Sequence, residues 1–496
     1  MYDLKGNSSM SKKKPNIILI LTDQQRADCV EIDGHPVLQT PMLNILARQG
    51  TLFKNAYTAC AVCIPARRTL MSGQKPSTHG VLHNYATDLN APCLPQVLRD
   101  GGYQTMLSGK LHLWPTRKHF GFERFKVSDG PGYSPEEGDS DYLRYLRRNG
   151  KGWADEHTDG ARGNSCYVRA WHMEEKYHNA NWTTQEAIEF IETLDPTRPF
   201  FLNVSYFHPH PPITPPQFYY DRYMSMDLPE PTESEWSNVF TEPSKGYPHG
   251  SRRLKLDRHQ LKQYRAAYYA QINHIDDQLN RVFHALDRNH IDMDNTMVVF
   301  ASDHGEMLGD HQYSGKCVPY QGSVRVPLIV KLPGDTFKEE LHTCDAPVEL
   351  MDIMPTILDC AGLDIPETVE GRSVVPFAEG KDPEWREYVH CEICNLDDKT
   401  GSQMVTDGKR KYIWFPGLGK EQYFNLETDP DEINELSQDA SLKDEIQKWR
   451  ERLINELKGR PEGFTDGKKM LKLNGPTTNV LPGFERGKGV DGEGKK

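Results

Sequence analysis

Three largely apolar runs, each followed by polar residues, constrain the fold of this chain more than any other feature. They cover residues 17–21, 199–206 and 295–302. Runs of this kind are typical of strands that are buried on both faces. Such strands occur in α/β folds, where helices cover both faces of a largely parallel sheet. The sequence therefore predicts an α/β domain built on a large mixed, mostly parallel sheet between layers of helices.

Polar side chains stand at the ends of these runs. Asp23 and Gln24 follow the first run, and His210 follows the second. Asp303 and His304 follow the third. In open α/β sheets, ligands bind outside the carboxyl ends of the strands, so these residues stand where chemistry is expected. Taken alone, Asp23 would more simply be a cap of the following helix.

Length and charge narrow the class of protein. At 496 residues the chain is too long for one ordinary core, so we expect a large domain and a smaller one. The formal charge of −12 argues against a nucleic-acid partner. No apolar run approaches the roughly 18 residues of a transmembrane helix. Residues 1–16 lack a signal-peptide core, so we expect a cytoplasmic protein, or a periplasmic or secreted one if a leader has been removed.

The chain changes character after about residue 380. Short alternating segments predict a small antiparallel sheet, and a helix rich in Glu and Lys follows them. The segments are 388–393, 404–406, 411–415 and 422–426, and the helix is 442–458. We therefore divide the chain into a large domain, a small α+β domain and a Gly- and Lys-rich tail, at 15–380, 381–460 and 461–496.

Two predicted helices bear on the site. One is expected to begin at Arg67, behind Cys63, where its N-terminal dipole would favour an anion. The other is a long amphipathic helix at 261–286, and we expect Asp276 and Asp277 on its solvated face.

The segment from Cys60 to Gly73 reads C-A-V-C-I-P-A-R-R-T-L-M-S-G and contains a C-x-P-x-R core. Cys60 and Cys63 also form a C-x-x-C pair, so a zinc or redox site has to be considered. Cys391 and Cys394 form a second pair. The first pair runs directly into P-A-R, which argues against zinc. For the second pair, ordinary packing in or near a strand is the simpler interpretation.

Further charged residues lie in predicted loops. Lys110 and His112 follow a predicted strand, and their spacing of two places both on one face if the loop stays extended. By itself, Lys-x-His is typical of a solvated loop. Lys316 opens the segment K-C-V-P-Y-Q-G-S-V-R-V-P. The segment F-H-P-H-P-P carries His210 together with His208, for which packing is the simpler role.

A series of motifs resembles, in order, those of the type I, formylglycine-dependent sulfatases of the alkaline phosphatase superfamily. They are P-N-I-I-L-I-L-T-D-Q, C-x-P-A-R-x-x-L-x-S-G, G-K-x-H, P-H-x-P, D-H-G-E and K-x-x-x-Y-x-G-x-x-R-V-P. Gln321 and Ser323 depart from the family pattern. The resemblance implies the sulfatase fold and a sulfuric ester hydrolase. It also implies that a formylglycine-generating enzyme oxidises Cys63 to formylglycine, whose hydrate attacks the sulfate ester.

The resemblance also implies a metal site. One divalent cation would be held by the formylglycine made from Cys63 together with Asp23, Gln24, Asp303 and His304. Oxygen-rich ligands favour Ca²⁺. The nitrogen of His304, which stands where the family often has Asn, also allows Mn²⁺ or Zn²⁺.

The remaining implied roles concern the sulfate ester. Arg67 would hold the formylglycine diolate, with His112 hydrogen-bonded to it. Lys110 and Lys316 would bind the sulfate oxygens, where preorganised charge is usually the largest catalytic term. His210 would bind at the ester oxygen and donate a proton to the leaving group.

The substrate is left open by these motifs. A phosphonate monoester or phosphodiester hydrolase of the same superfamily would use the same formylglycine. A binding protein for sulfated sugars without activity is a second alternative. Aromatic and basic residues within 133–182, with His83 and Asn84 near the signature, favour a sulfated sugar or oligosaccharide over the substrate of a simple arylsulfatase.

Overall fold

The computed structural model describes residues 13–130, 140–152, 164–239, 244–245, 253–394, 401–473 and 481. Two parts of the segment expected to shape substrate preference, 131–139 and 153–163, lie outside the described residues, as does most of the tail beyond 473. No helix in the described part of the chain is long and apolar enough to cross a membrane.

An eight-stranded sheet forms the centre of the larger region. The strands up to residue 349 are β1 (Asn16–Asp23), β2 (Thr51–Phe53), β3 (Ala56–Tyr57), β4 (Gln104–Gly109), β5 (Arg124–Val127), β6 (Phe200–Pro209), β7 (Ser244–Lys245), β8 (Leu254–Lys255), β9 (Thr296–Ser302), β10 (Leu328–Lys331), β11 (His342–Cys344) and β12 (Val348–Glu349). The sheet order is β11-β2-β10-β9-β1-β6-β4-β5. Strand β10 is antiparallel to both neighbours and the other pairings are parallel. The predicted mixed, mostly parallel sheet is confirmed.

Strand β1 lies inside this sheet and sets the position of the site. It pairs in parallel with β9, with Thr22 opposite Ser302. It also pairs with β6, where a register irregularity brings Asp23 opposite Pro209. Because the carboxyl ends of parallel strands meet at one edge of a sheet, the residues that follow β1, β6 and β9 share that edge.

Helices cover both faces of the sheet. In chain order, the helices in the described part of the chain are α1 (Pro41–Gln49), α2 (Cys63–Ser72), α3 (Pro76–His79), α4 (Leu94–Asp100), α5 (Asp141–Arg148), α6 (Asn179–Glu192), α7 (Gln217–Met224), α8 (Arg258–Arg288), α9 (Gln321–Val324), α10 (Ile353–Ala361), α11 (Val375–Ala378) and α12 (Lys443–Leu457). Short 3-10 segments lie at Glu31–Asp33, Glu175–Tyr177, Trp236–Val239, Met293–Asn295, Asp310–Gln312, Leu350–Asp352 and Ala440–Leu442.

Alternate residues of β1 belong to two different cores. Ile17, Leu19 and Leu21 pack with residues of α2 and α10 on one face of the sheet. Ile18 and Ile20 pack with residues of α1, α6 and α8 on the other face. All five side chains are fully buried. Because both faces of the strand are covered, its sequence is apolar without alternation.

Two helix predictions need correction. Helix α2 begins at Cys63 rather than at Arg67, so the cysteine is its first residue. The prediction that Asp276 of α8 is solvated is wrong, because its carboxylate is buried and accepts hydrogen bonds from the N–H groups of Met42 and Leu43, at 2.9 and 3.0 Å. A carboxylate at that position binds donors that the first turn of α1 leaves without partners. Burial raises the pKa of Asp276 to about 7.

The C-terminal region forms a four-stranded antiparallel sheet, as predicted. Its strands, in spatial order, are β13 (Val389–Ile393), β14 (Ser402–Thr406), β15 (Arg410–Phe415) and β16 (Lys420–Asn425). Side chains of this sheet form one core with α12, which includes Trp449 and Leu453. They form another core with Cys60 and Val62, so the sheet supports the segment that leads into Cys63. The three-part division of the chain stays a prediction.

Candidate active site

Four side chains with metal-ligating groups converge at the carboxyl edge of the large sheet. Asp23, Cys63, Asp303 and His304 each offer one ligand atom, and these atoms lie within 4.8 Å of one another. All four residues are buried. We call these four residues the acidic cluster. The structure therefore brings together four of the five residues to which the sequence resemblance assigns a metal.

Strand pairing places the two carboxylates. Asp23 is the last residue of β1 and Asp303 directly follows β9, and these neighbouring strands pair in parallel. After Asp303 the backbone passes very close to a second loop. A Cβ atom at Gly305 would lie 2.0 Å from the carbonyl oxygen of Gly322. Only glycine permits this approach, which explains the third position of D-H-G-E.

Cys63 reaches the acidic cluster from the N-terminus of α2. Its Sγ lies 3.1 Å from Nε2 of His304. The N–H group of Ile64, at the open end of the helix, donates to Oδ1 of Asn84 at 3.0 Å. Position 63 is therefore fixed at a helix terminus, where the helix dipole favours negative charge.

Arg67 lies one turn further along α2 and binds both carboxylates. Its Nε donates to Oδ2 of Asp303 at 2.7 Å, and one Nη donates to Oδ2 of Asp23 at 3.3 Å. The other Nη donates to the carbonyl oxygen of Lys110 and to Oγ of Ser205, both at 3.0 Å. Burial opposes the guanidinium charge, but the two carboxylates raise the pKa of Arg67 overall. The side chain therefore stays charged.

His304 is oriented by its own backbone. Its Nδ1 lies 3.0 Å from the carbonyl oxygen of Gly305, so Nδ1 is the donor and Nε2 faces the rest of the acidic cluster. Metal-binding histidines are commonly fixed through the other ring nitrogen in this way. Burial alone would lower the pKa of His304, but the charges of Asp303 and Cys63 raise it.

Gln24 connects the acidic cluster to a lysine and to a second carboxylate. Its backbone is left-handed, with φ of 72°, and its N–H donates to Oδ1 of Asp303 at 3.1 Å. The side-chain Nε2 donates to the carboxylate of Glu306. The side-chain Oε1 accepts from Nζ of Lys316 at 2.6 Å. Each end of the side-chain amide therefore makes a hydrogen bond.

Cations and histidines face the acidic cluster from loops. Nζ of Lys110 lies 2.6 Å from Oδ2 of Asp23. Lys110 and Lys316 are both buried. Burial disfavours the charged carboxylate, but Lys110 and Arg67 hold the pKa of Asp23 well below its usual range. We call the four loop residues to which the resemblance assigns roles in the reaction the loop group: Lys110, His112, His210 and Lys316.

The loop after β4 is bent. The φ angle of His112 is 57°, so the loop is not extended and the condition for Lys110 and His112 to share one face is not met. Asp129 holds the bend, because one of its oxygens accepts from the N–H groups of Leu111 and His112, both at 2.8 Å. Burial, reinforced by the charge of Lys110, lowers the pKa of His112 well below its usual value.

The two histidines after β6 have different surroundings. Nδ1 of His210 lies 2.6 Å from the carbonyl oxygen of Pro211, and burial and the charge of Lys316 lower the pKa of His210. His208 instead stacks on His178, with ring centroids 4.6 Å apart. Burial lowers the pKa of His208 to about 3. This contact agrees with a packing role for His208.

The C-x-x-C pairs form no metal site within the described ranges. Sγ of Cys60 lies 3.6 Å from the carbonyl oxygen of Leu82, and the thiol packs in the same core as Cys391. Cys394 packs against Leu82 in another small core. Of these four cysteines, only Cys63 belongs to the one metal-ligating group found in the described part of the chain. Packing therefore explains the second pair.

Two residues that hold predicted site residues received no role from the sequence. Glu306 closes D-H-G-E, so a signal was present, but the motif does not show what its carboxylate contacts. Asp129 lies shortly after β5, which ends at Val127, so it is near a strand end as Asp23 and Asp303 are. Strand β5 is only four residues long and partly exposed, so its sequence lacks the apolar run that marks the other strands.

Comparison with known proteins identifies a matching family and similar proteins. Residues 15–363 match the Sulfatase family, and residues 309–459 match the C-terminal region of N-sulphoglucosamine sulphohydrolase. An arylsulfatase of Clostridium perfringens (strain 13 / Type A) is 38% identical over 477 residues, which cover 92% of this chain and 98% of that protein. An N-acetylglucosamine-6-O-sulfatase of Bacteroides thetaiotaomicron is 24% identical over 490 residues, which cover 86% and 83%.

The solved structure of the phosphonate monoester hydrolase of Agrobacterium radiobacter has the same fold. It superposes with a TM-score of 0.76 at 26% identity, covering 93% of this chain and 100% of that one. Together, the mixed sheet, the buried cluster and the family match define the class of protein: the chain belongs to the sulfatase family, within the alkaline phosphatase superfamily. It is a sulfuric ester hydrolase.

Proposed function

We propose that this chain hydrolyses a sulfate ester on a carbohydrate, using formylglycine made from Cys63 and one divalent cation. The observation that carries the proposal is the acidic cluster at the N-terminus of α2, bound on both carboxylates by Arg67. The thiol of Cys63 stands where the formylglycine hydrate would lie. Conversion of the cysteine requires a formylglycine-generating enzyme as a partner during maturation.

The donor set fits one divalent cation. Asp23 and Asp303 supply carboxylate oxygens, and Gln24 supplies an amide oxygen. His304 supplies a ring nitrogen whose partner nitrogen is already tied to the backbone. With a formylglycine oxygen at position 63 the set is rich in oxygen, which favours Ca²⁺, with Mn²⁺ and Zn²⁺ as competitors. Bound there, the cation would polarise the sulfate and lower the pKa of the hydrate hydroxyl.

Arg67 and His112 act at position 63 in this proposal. The guanidinium fixes both carboxylates and lies on the same helix as Cys63, so it orients the nucleophile and the donors as one unit. His112 would hydrogen-bond the formylglycine diolate. Its lowered pKa keeps the ring neutral near pH 7, so it can accept a hydrogen bond at one nitrogen and donate at the other.

Lys110 and Lys316 bind the sulfate oxygens in this proposal. Both ammonium groups are buried beside the acidic cluster, where water does not screen their charge. They are also held in place before any substrate arrives, by Asp23 and Gln24 respectively. Preorganised positive charge of this kind stabilises the developing charge of the transition state without reorganisation.

His210 would donate the proton that a sugar leaving group needs. In the free protein its ring is neutral near pH 7, because burial and Lys316 lower its pKa. A sulfate anion bound between Lys110 and Lys316 would favour the protonated ring. A ring with a lowered pKa is also a stronger acid once it is protonated. Nε2 would be the donating atom, since Nδ1 is bound to the carbonyl oxygen of Pro211.

A carbohydrate substrate is supported by a relative and by residues near α2. The relative from Bacteroides thetaiotaomicron is an N-acetylglucosamine-6-O-sulfatase. His83, Asn84 and Tyr85 are partly exposed, and Asn84 contacts the first turn of α2, so this segment is in position to contact a sugar.

Two alternatives have specific support. The arylsulfatase from Clostridium perfringens favours a simple aryl sulfate, and the Agrobacterium radiobacter structure favours a phosphonate monoester.

One preparation, made together with a formylglycine-generating enzyme, tests the proposal. We would measure its kcat/KM on sulfated mono- and oligosaccharides of defined linkage, on nitrophenyl sulfate, on a phosphonate monoester and on a phosphodiester. Mass spectrometry of the peptide that contains Cys63 gives the formylglycine content, and Cys63→Ala controls for contaminating activity. We expect the highest kcat/KM on a sugar sulfate. Fully converted enzyme that prefers nitrophenyl sulfate or a phosphonate to every sugar would overturn the carbohydrate assignment.

A further inference from the structure

Glu306 is a buried carboxylate that belongs to neither the acidic cluster nor the loop group. It is 1% exposed and lies three residues after Asp303. Four donors surround it. Its oxygens accept from the hydroxyl of Tyr264 at 2.9 Å, from the N–H of Leu308 at 2.9 Å, and from the N–H of Gly315. The fourth donor is Nε2 of Gln24.

This contact decides which end of the Gln24 amide faces the site. An ionised carboxylate only accepts hydrogen bonds, so the end of the amide that faces Glu306 has to be the NH₂ group. The oxygen is therefore left at the other end, where it accepts from Lys316 at 2.6 Å. The backbone of Gln24 is held as well, since its carbonyl oxygen accepts from the hydroxyl of Tyr268 at 2.6 Å.

Steric packing does not supply this orientation. The two orientations of an amide have nearly the same shape, so packing alone does not favour one of them. The hydrogen bonds of the amide to Glu306 and from Lys316, rather than crowding, distinguish them.

We propose that Glu306 is a positioning residue that presents the Gln24 oxygen to the divalent cation. This inference rests on the proposed metal site, in which Gln24 is a ligand. Residues that orient metal ligands in this way commonly change metal affinity by about 10- to 100-fold when they are replaced. The pairing also explains an amide at position 24, because a carboxylate there would face the carboxylate of Glu306 without a proton between them.

Glu306→Gln is the first test. The full-length protein is stripped with a chelator, and Ca²⁺ and Mn²⁺ are titrated separately by calorimetry. We expect the Kd to rise by about 10- to 100-fold, because an amide at position 306 can pair with either end of the Gln24 amide and leaves the contact from Lys316 alone to select the oxygen. Tyr264→Phe is the matched control. It removes another hydrogen bond to Glu306 but leaves the contact to Gln24, so it should lower the Tm of the stripped protein without changing the Kd by more than about threefold.

A double-variant cycle separates positioning from simple structural support. In a Gln24→Glu background two carboxylates would face each other, and Glu306→Gln would restore one donor and one acceptor. We therefore expect Glu306→Gln to weaken cation binding when residue 24 is Gln and to strengthen it when residue 24 is Glu. A purely structural role for Glu306 predicts weakening in both backgrounds. If Glu306→Gln alone does not fold, the comparison of Gln24→Glu with the double variant still gives the sign.

The outcomes distinguish this inference from the proposed metal site. Wild-type protein that binds neither cation would show that the proposed metal site is wrong. Two outcomes would overturn the role of Glu306 and leave the metal site standing. In the first, wild-type protein and Glu306→Gln bind the cation with the same Kd. In the second, Glu306→Gln loses no more affinity than Tyr264→Phe does.

Discussion

The acidic cluster and the loop group meet at the ion pair between Asp23 and Lys110, but they are built in different ways. The acidic cluster comes from the end of β1, from the two residues after β9 and from the first residue of α2. Hydrogen-bonded strand register therefore fixes most of it. In the loop group, Lys110 and His112 follow β4, His210 follows β6, and Lys316 lies in a loop after β9. The backbone has positive φ at His112 and at Cys317, which is next to Lys316.

Strand pairing therefore positions the charged groups of the acidic cluster, whereas individual hydrogen bonds position those of the loop group. Asp23 and Asp303 stay adjacent as long as β1 and β9 pair. The bend that carries Lys110 and His112 depends on Asp129, whose carboxylate binds two backbone N–H groups. Changes in the acidic cluster should therefore affect every substrate alike. Within the loop group, we expect changes at His210 to depend on the leaving group, and the bend that carries Lys110 and His112 to depend on Asp129.

The largest effect is expected at position 63. In the proposed mechanism Cys63 is the precursor of the nucleophile, so with Cys63→Ala the turnover of every substrate should fall to the background level. The side chain is small and α2 continues for nine residues beyond it, so the Tm should change little. Turnover by Cys63→Ala comparable to that of the wild type, measured on a sugar sulfate and on nitrophenyl sulfate, would show that residue 63 is not the nucleophile.

The second prediction concerns His210 and sharpens the comparison, because it belongs to the loop group. A sugar alkoxide needs a proton as the ester bond breaks, whereas a nitrophenolate hardly does. His210→Ala should therefore lose about 10²- to 10⁴-fold in kcat on a sugar sulfate and much less on nitrophenyl sulfate. The acid has to be protonated, so wild-type activity on the sugar should decline as pH rises, and this alkaline limb should disappear in the variant.

Arg67 and the two lysines provide the contrast for His210. Their proposed roles concern the nucleophile and the sulfate, which both substrates share. Arg67→Ala, Lys110→Ala and Lys316→Ala should therefore lose similar factors on the two substrates. Equal losses for His210→Ala on both substrates would assign it to sulfate binding, and the acid would then have to be sought at His208 or Lys316.

The third prediction concerns metal preference within the acidic cluster. His304→Asn replaces the ring nitrogen by an amide oxygen, the residue type that the family often has at this position. Nitrogen donors suit Mn²⁺ and Zn²⁺ better than Ca²⁺. The Kd for Mn²⁺ should rise by about 10- to 100-fold, and the Kd for Ca²⁺ by less. Calorimetry on stripped protein measures both. Equal changes for the two cations would mean that the nitrogen does not determine selectivity.

The sequence predicted the scaffold well because its signal is local. The apolar runs that end at Asp23 and Asp303 identify strands covered on both faces, and the C-terminal alternation identifies the small antiparallel sheet. The edge where the acidic cluster lies follows from the strand order of α/β folds. These predictions depend on short segments whose periodicity directly reflects burial.

The contacts that the sequence did not predict join residues far apart in the chain. Asp276 binds the start of α1 across 234 residues, so its burial is not visible in the pattern of its own helix. Glu306 binds Gln24 across 282 residues. The bend at His112 needs a positive φ at a residue other than glycine, which no local sequence pattern marks. Such features depend on which loops the sheet brings together.

The smallest effect is expected at Asp129, the anchor of the bend between Lys110 and His112. Asp129→Ala leaves the N–H groups of Leu111 and His112 without an acceptor, which costs about 1–3 kcal/mol in the free energy of unfolding. Because the loop is then less well fixed, kcat/KM should fall by about tenfold on sugar sulfate and nitrophenyl sulfate alike. Asp129→Asn keeps an acceptor oxygen and should stay within about threefold of the wild type. If Asp129→Asn were as impaired as Asp129→Ala, the negative charge of Asp129, rather than its hold on the backbone, would be what the loop group requires.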